Sequence, residues 1–236
     1  MAPLPSGTGN SFAKELALPH RDLLGKCNLI RACDALSTGE VRSIDIDVCN
    51  ENSHWLQCSG IGIDAYIVVR IEPRNRRTRR MGSVGYIALG LPALVDFLGI
   101  EAIVSIDAEM YEGRYVMVTI SNIRRYAGGR IVLSPNSVLD DGYFEVCMSK
   151  GSTRSDVAGY LLELAQGTHI CNPRITATRG RQIEVNTNNP SPVHHDGDPV
   201  GQTPLRCRLA PGALRLLVPS TAPIDLFQGQ AEPFDG

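Results

Sequence analysis

Ile44-Asp45-Ile46-Asp47-Val48 alternates apolar and acidic side chains without a break. Successive side chains of a strand point to opposite faces. The pattern therefore predicts a half-buried β-strand with Ile44, Ile46 and Val48 on a core and Asp45 and Asp47 together on the other face. The period of two continues from Val41 to Val218. It predicts further strands at 55–63, 114–121, 143–148, 174–178, 182–187, 205–209 and 213–218, with Asp141-Gly142 and Asp196-Gly197 among the turns that separate them. Strands this short and numerous predict a mostly β (α+β) chain, folded as an antiparallel β-sandwich or barrel. Two helical patterns interrupt them. One, at 83–98, is apolar on most faces; the other, at 152–166, has Ser152 or Thr153 as its cap and Gly167 as its stop.

Toward the N-terminus the pattern changes. Leu4-Pro5-Ser6-Gly7-Thr8-Gly9-Asn10 is a glycine loop that runs into Phe12-Ala13-Lys14-Glu15-Leu16-Ala17-Leu18, a short predicted helix with Asn10 or Ser11 as cap and Pro19 as stop. A loop of this kind normally follows a strand in an α/β layer. Gly7 and Gly9 let backbone approach a ligand closely, and a helix N-terminus offers free N–H groups to a phosphate. An ordinary tight turn fits the same residues, and no G-K-[ST] ending makes the loop a P-loop.

The chain has 236 residues, 43% of them hydrophobic, and a net charge of -2, which argues against global disorder and against a nucleic-acid partner. The 7 cysteines include no C-x-x-C pair and the chain has no N-x-[ST] acceptor, so a reduced, cytoplasmic compartment is expected, with thiols acting as small core hydrophobes. The most apolar stretch, 86–95, is cut by Pro92 and stopped by Asp96, well short of the ~20 residues that span a bilayer. Arg70, Arg74, Arg76, Arg77, Arg79 and Arg80 form a basic run. It reads equally as a solvated loop and as a peripheral contact with an anionic membrane surface.

Two acidic turns carry the remaining chemistry. Asp140-Asp141-Gly142 is a strong hairpin signal, and its carboxylates and neighbouring carbonyls are also hard-cation ligands. His194-His195-Asp196-Gly197-Asp198 is the most polar constellation. Adjacent residues of an extended segment point to opposite sides, so a shared zinc ion is disfavoured. Asp196 and Asp198 suit acid–base work or a solvated turn.

In order, GTGNSFAKELALP, IDIDV, GIGIDA, ISNIRRYAGGRIVLSPNSVLDDGYFEV and HHDGDPVGQTPLRCRLAPGALRLLVP resemble the diacylglycerol kinase catalytic superfamily, which includes bacterial lipid kinases and sphingosine and ceramide kinases. The resemblance runs from Pro5 to about Pro219. It implies a lipid kinase that uses ATP and Mg²⁺, with an α/β nucleotide domain followed by a β-sandwich and the active site between them. On that resemblance, Gly7, Thr8, Gly9, Asn10 and Ser11 lie near the ATP phosphates. Asp141 with the carbonyls of Val138 and Tyr143 matches a structural Mg²⁺ site, and Asp45 an aspartate joined to catalytic Mg²⁺ through water. Asp198 matches the acidic residue of a D-G-E motif that deprotonates the lipid hydroxyl, and Asp196 is the next candidate.

The departures are Ser11 for a common aspartate, Asp198 for glutamate, and the absence of the family's G-G-D-G-T loop. The expectation is therefore residues 1–37 as a remnant of the nucleotide domain, 38–219 as the sandwich and 220–236 as a poorly ordered tail. Such a chain would be weak or inactive alone. A non-catalytic lipid-binding sandwich and an NAD kinase-like enzyme are the alternatives. Expected partners are a lipid substrate, a membrane surface contacted transiently, and a second copy of the chain.

Overall fold

The computed structural model describes residues 1–7, 9–20, 28–50, 53–71 and 97–234. The helix expected at 83–98, the arginine run beyond Arg70, and Thr8 lie outside them, apart from Phe97 and Leu98. In chain order the elements begin with α1 (Ser11–Glu15), α2 (Leu29–Ser37), β1 (Glu40–Cys49), β2 (Cys58–Gly62) and α3 (Ile63–Ile71). They continue with β3 (Ile100–Ile106), β4 (Glu109–Ser121), β5 (Arg125–Tyr126), β6 (Ile131–Val132), β7 (Phe144–Lys150) and α4 (Arg154–Gln166). The last are β8 (Ile175–Gly180), β9 (Gln182–Thr187), β10 (Pro192–His195), β11 (Asp198–Gln202), β12 (Leu205–Val218) and β13 (Glu232–Pro233).

The fold is mostly antiparallel β-sheet. One path of pairing runs β11-β10-β2-β4-β3-β9-β12-β1-β13, and β7 pairs with both β4 and β8. Strand β4 divides its partners, with 109–115 against β3 and 117–121 against β2 and β7. Val104, Val118, Phe144, Val146, Val185 and Leu205 are among the fully buried side chains of the main core. α4 starts where expected, in a capping box between Thr153 and Asp156, and ends at Gly167 in the left-handed region.

The alternation of β1 does not hold through Asp45. Ile44 pairs with Leu214 but Ile46 with Ala210, so a bulge sits between them. Beyond it Asp47 and Cys49 are buried while Ile46 and Val48 are only half-buried, the reverse of the expected faces. The cause lies across the ladder. Pro211 has no N–H to give, and Gly212 turns into positive φ and donates its N–H to Asp45 Oδ1 at 2.7 Å. The same bulge explains why 205–209 and 213–218, expected as two strands, form the single β12.

Two further expectations are corrected. The tail beyond Pro219 packs back on the sheet, with Leu226 and Phe227 buried beside Phe12 and Ile44, and β13 pairs with β1. Nor are the cysteines all free thiols, because Cys49 and Cys207 face each other across β1 and β12 and are joined by a disulfide. Register brought together two residues 158 positions apart, which no local pattern reveals. Cys58 and Cys147 are buried thiols, as expected of core hydrophobes.

Candidate functional site

The glycine loop lies against a second glycine turn. Asn10, in the left-handed region, caps α1 and donates its side-chain amide to Gly7 O at 2.8 Å, which holds the loop closed. Gly9 and Gly128 pass so close that a Cβ on either would touch the other's backbone. Gly129 leaves room for the Lys14 stem, and Lys14 Nζ donates to Gly128 O at 2.5 Å. Glu15, buried, accepts the amide of Arg125 at 3.0 Å, so α1 is fastened to β5 at both ends of that turn. Burial, then the positive charges of Arg130 and Arg125, hold the Lys14 ammonium below its ordinary pKa. The structure thus joins Gly7, Gly9, Asn10 and Ser11 to a cationic corner formed by Lys14, Arg125 and Arg130.

The Asp140-Asp141-Gly142 turn closes on β1. Asp45 Oδ2 accepts the Gly142 amide at 2.7 Å, and its own N–H donates to Leu139 O at 2.8 Å. Asp141 accepts the Tyr143 amide at 3.0 Å and pairs with Arg179 at 3.2 Å, while Asp140 accepts the amides of Gln228 and Gly229. Burial raises the Asp45 pKa, and the charges of Asp140 and Asp141 add to it against the two amides that lower it. The donors here are carboxylate and carbonyl oxygens, the hard ligands a Mg²⁺ ion takes, and their mutual repulsion is the kind a divalent ion offsets. Asp141 with the backbone of Val138 and Tyr143 fits that ion by donor type.

The hairpin of β10 and β11 holds the third group. Asp196, in the left-handed region at the turn, accepts the amides of Leu56, Gln57 and Cys58 at 2.8 to 2.9 Å. Asp198 opens β11, its backbone in register with His195, and its exposed carboxylate makes no side-chain hydrogen bond among the described residues. His194 and His195 point apart. His194 reaches Asp64, and His195 lies between the hydroxyls of Ser59 and Ser53 at 3.0 and 3.3 Å. Burial lowers the His195 pKa.

Asp64 itself is a residue that motif reading passed over. Its signal was present, since an acid inside the apolar run 61–65 must find donors. A cavity of about 310 Å³ opens where the end of β2 meets α3, lined by Gly62, Tyr66, Phe97, Leu98, Ile100 and Pro192. Among the described residues no helix is long and apolar enough to cross a membrane.

The antiparallel sheet, with few helices among the described residues, defines a mostly β, sandwich-like domain. The chain belongs to the YegS C-terminal NAD kinase beta sandwich-like domain family, whose match covers residues 59–218. It is 25% identical over 201 residues to a diacylglycerol kinase of Bacillus subtilis (strain 168), covering 85% of this chain and 63% of that kinase. It is 27% identical over 224 residues to a "Probable lipid kinase YegS-like" of Pseudomonas aeruginosa (strain UCBPP-PA14), covering 95% of this chain and 70% of the relative. The crystal structure of a diacylglycerol kinase from Bacillus anthracis str. Sterne shares the fold with a TM-score of 0.63 at 19% identity, over 94% of this chain and 67% of that one.

Proposed function

We propose that this chain is the acceptor-side part of a lipid kinase that transfers the γ-phosphate of ATP to the hydroxyl of a diacylglycerol- or sphingoid-like lipid. The observation that carries the reading is the cationic corner where Gly9 meets Gly128, with Lys14, Arg125 and Arg130 crowded around it. Arg125 is paired with Glu15 at 3.9 Å, and the cationic excess that Lys14 and Arg130 add suits a phosphate chain. Phosphoryl transfer asks the protein mostly for positioning and charge stabilisation, which such a corner supplies.

In this reading the exposed Asp198 carboxylate accepts the proton of the lipid hydroxyl as its oxygen bonds to phosphorus. The partly apolar cavity beside Tyr66, Phe97 and Leu98 takes part of the lipid chain. Asp141, with the carbonyls of Val138 and Tyr143, would hold a structural Mg²⁺, and Asp45 braces that turn from behind. When bound, such an ion would offset the repulsion of the carboxylates gathered at that turn. The arginine run beginning at Arg70 serves transient contact with an anionic membrane.

The test is transfer of label from [γ-³²P]ATP to dioleoylglycerol or sphingosine in mixed micelles. It is run with the chain alone and with a G-G-D-G-T-bearing nucleotide domain, taken from the Bacillus subtilis relative, fused upstream of Pro5. Labelled lipid from the fused protein, with little from the chain alone, is expected. Labelled NADP from NAD instead would favour the NAD kinase-like reading, which the family description keeps in view. Lipid binding without transfer would favour a non-catalytic module.

A further inference from the structure

Asp64 is the second residue of α3, which follows β2 directly, and is 5% exposed. Its carboxylate accepts three hydrogen bonds, from Ala65 N at 2.7 Å, from His194 Nε2 at 2.9 Å and from Tyr126 Oη at 3.0 Å. The two side-chain donors come from segments about seventy residues apart. Tyr126 ends β5 and begins the 126–129 turn that touches Gly9 and Lys14. His194 lies in β10, and its other nitrogen, Nδ1, accepts the Gly197 amide at 3.3 Å. Those two bonds put the ring hydrogen on Nε2. Gly197 is the residue between Asp196 and Asp198 at the hairpin tip.

A Cβ at Gly60 would overlap both Asp64 Oδ2 and His194 Nε2, so the pair rests directly on the backbone of β2. On the far side of the tip, Asp196 is fastened to the amides of 56–58. A buried carboxylate–imidazole hydrogen bond is poor evidence of added stability, because apolar residues of similar shape in place of both partners often serve as well. What this one does that an apolar contact would not is hold two particular segments in fixed register by directional bonds.

We propose that Asp64 and His194 are positioning residues that couple the glycine turn to the hairpin tip, so that Asp198 is set at a fixed place relative to the cationic corner. The proposal rests on the kinase reading for its catalytic consequence, but the coupling itself is a property of this chain. Tyr126, Asp64, His194 and Gly197 form its four links.

Three substitutions separate the links. Tyr126→Phe removes only the hydroxyl on the glycine-turn side. His194→Gln carries an amide N–H to the place of Nε2 and gives up the Gly197 acceptor, whereas His194→Asn keeps an acceptor near the place of Nδ1 and gives up Asp64. The first measurement is the ¹H–¹⁵N spectrum of the chain itself. Tyr126→Phe is expected to move the amide resonances of Gly197 and Asp198, although the hydroxyl belongs to a distant segment. Resonances that stay put would overturn the coupling.

The second measurement is kinetic, on the fused protein. His194→Ala should lower kcat by roughly 10- to 100-fold, the scale of a displacement near 1 Å. KM for ATP should stay within about twofold, because uniform binding is untouched. His194→Gln should recover part of the loss. A fused protein that is active, with kcat unchanged in His194→Ala and only its melting temperature lowered, would reduce the pair to a structural contact. A fused protein that phosphorylates no lipid would sink the functional reading instead, and the spectrum of Tyr126→Phe would still decide the coupling.

Discussion

Two turns of this chain look alike in sequence and differ in space. In Asp140-Asp141-Gly142 every carboxylate is engaged inward: Asp140 with the amides of 228 and 229, Asp141 with Tyr143 and Arg179, and Asp45 reaching in from the β1 bulge to Gly142. In Asp196-Gly197-Asp198 the first carboxylate is engaged the same way, on three amides, but the second stands exposed on a short, well-anchored strand. A carboxylate that holds backbone amides is a joint of the fold. One left in water on a rigid element is available to another molecule. The Asp-Gly signal is therefore shared by a brace and by a working end.

The strongest way to break this contrast is at Asp198. Asp198→Asn keeps the shape and removes the basicity, so the fused protein should lose roughly 10²–10⁴-fold in rate with little change in melting temperature. If the rate is unaffected, the base lies elsewhere, and Asp196 is the next residue to replace.

Asp47 tests the buried side. Its Oδ1 accepts the Trp55 amide, its Oδ2 has no hydrogen-bond partner among the described residues, and burial pushes its pKa up to about 7. The unfolded chain releases this proton near the ordinary aspartate pKa of 3.8. Stability linked to Asp47 is thus complete below about pH 4, falls as the pH climbs toward 7, and is level above that. The total is roughly 4 kcal/mol, at 1.36 kcal/mol for each unit of displacement. Asp47→Asn, which keeps the oxygen facing Trp55, should flatten the melting profile between pH 4 and 8. A wild-type profile without that slope would mean that Asp47 is solvated when ionised.

A smaller effect is expected at Asp196. Replacing it with alanine releases the amides of Leu56, Gln57 and Cys58 and should cost about 2 kcal/mol, since bonds to a charged group are worth more than neutral ones and these lie near the surface. Urea denaturation measures it. A loss below about 0.5 kcal/mol would place Asp196 among ordinary surface residues and leave Asp198 without its anchor.

Much of this was legible in the residues. The period of two gave most of the strands, and Thr153 and Gly167 bounded α4, because these signals act within a few residues. The acidic turns were legible as turns, but not which carboxylate in each was engaged. That depends on amides at 56–58, 142, 212 and 228–229, brought in by sheet register. The faces of Asp45 and Asp47 were misread because Pro211 and Gly212, on a strand 160 or more positions away, insert the bulge. Asp64 was overlooked for a related reason. Nothing in the sequence ties its donors Tyr126 and His194 to it until β2, β10 and the 126–129 turn converge.

The mildest test concerns whether the braced turn also holds an ion. Asp45, Asp140 and Asp141 repel one another enough to raise the Asp45 pKa on top of its burial, and a divalent cation bound by oxygen ligands would relieve that strain. At a Mg²⁺ concentration ten times its dissociation constant, mass action adds about 1.4 kcal/mol, or roughly 3–6 °C in melting temperature for a chain of this size. The effect should shrink as the pH falls and Asp45, whose pKa is raised, takes up its proton, since a protonated carboxyl no longer attracts the ion. Asp141→Ala should remove the response to Mg²⁺ whatever it does to the baseline, because the turn then loses the carboxylate matched to the ion. Differential scanning fluorimetry with and without millimolar MgCl₂, at pH 5 and pH 8, reads both effects. A wild-type chain that ignores Mg²⁺ at both values would make Asp140-Asp141-Gly142 a brace alone, already satisfied by Arg179 and the backbone amides.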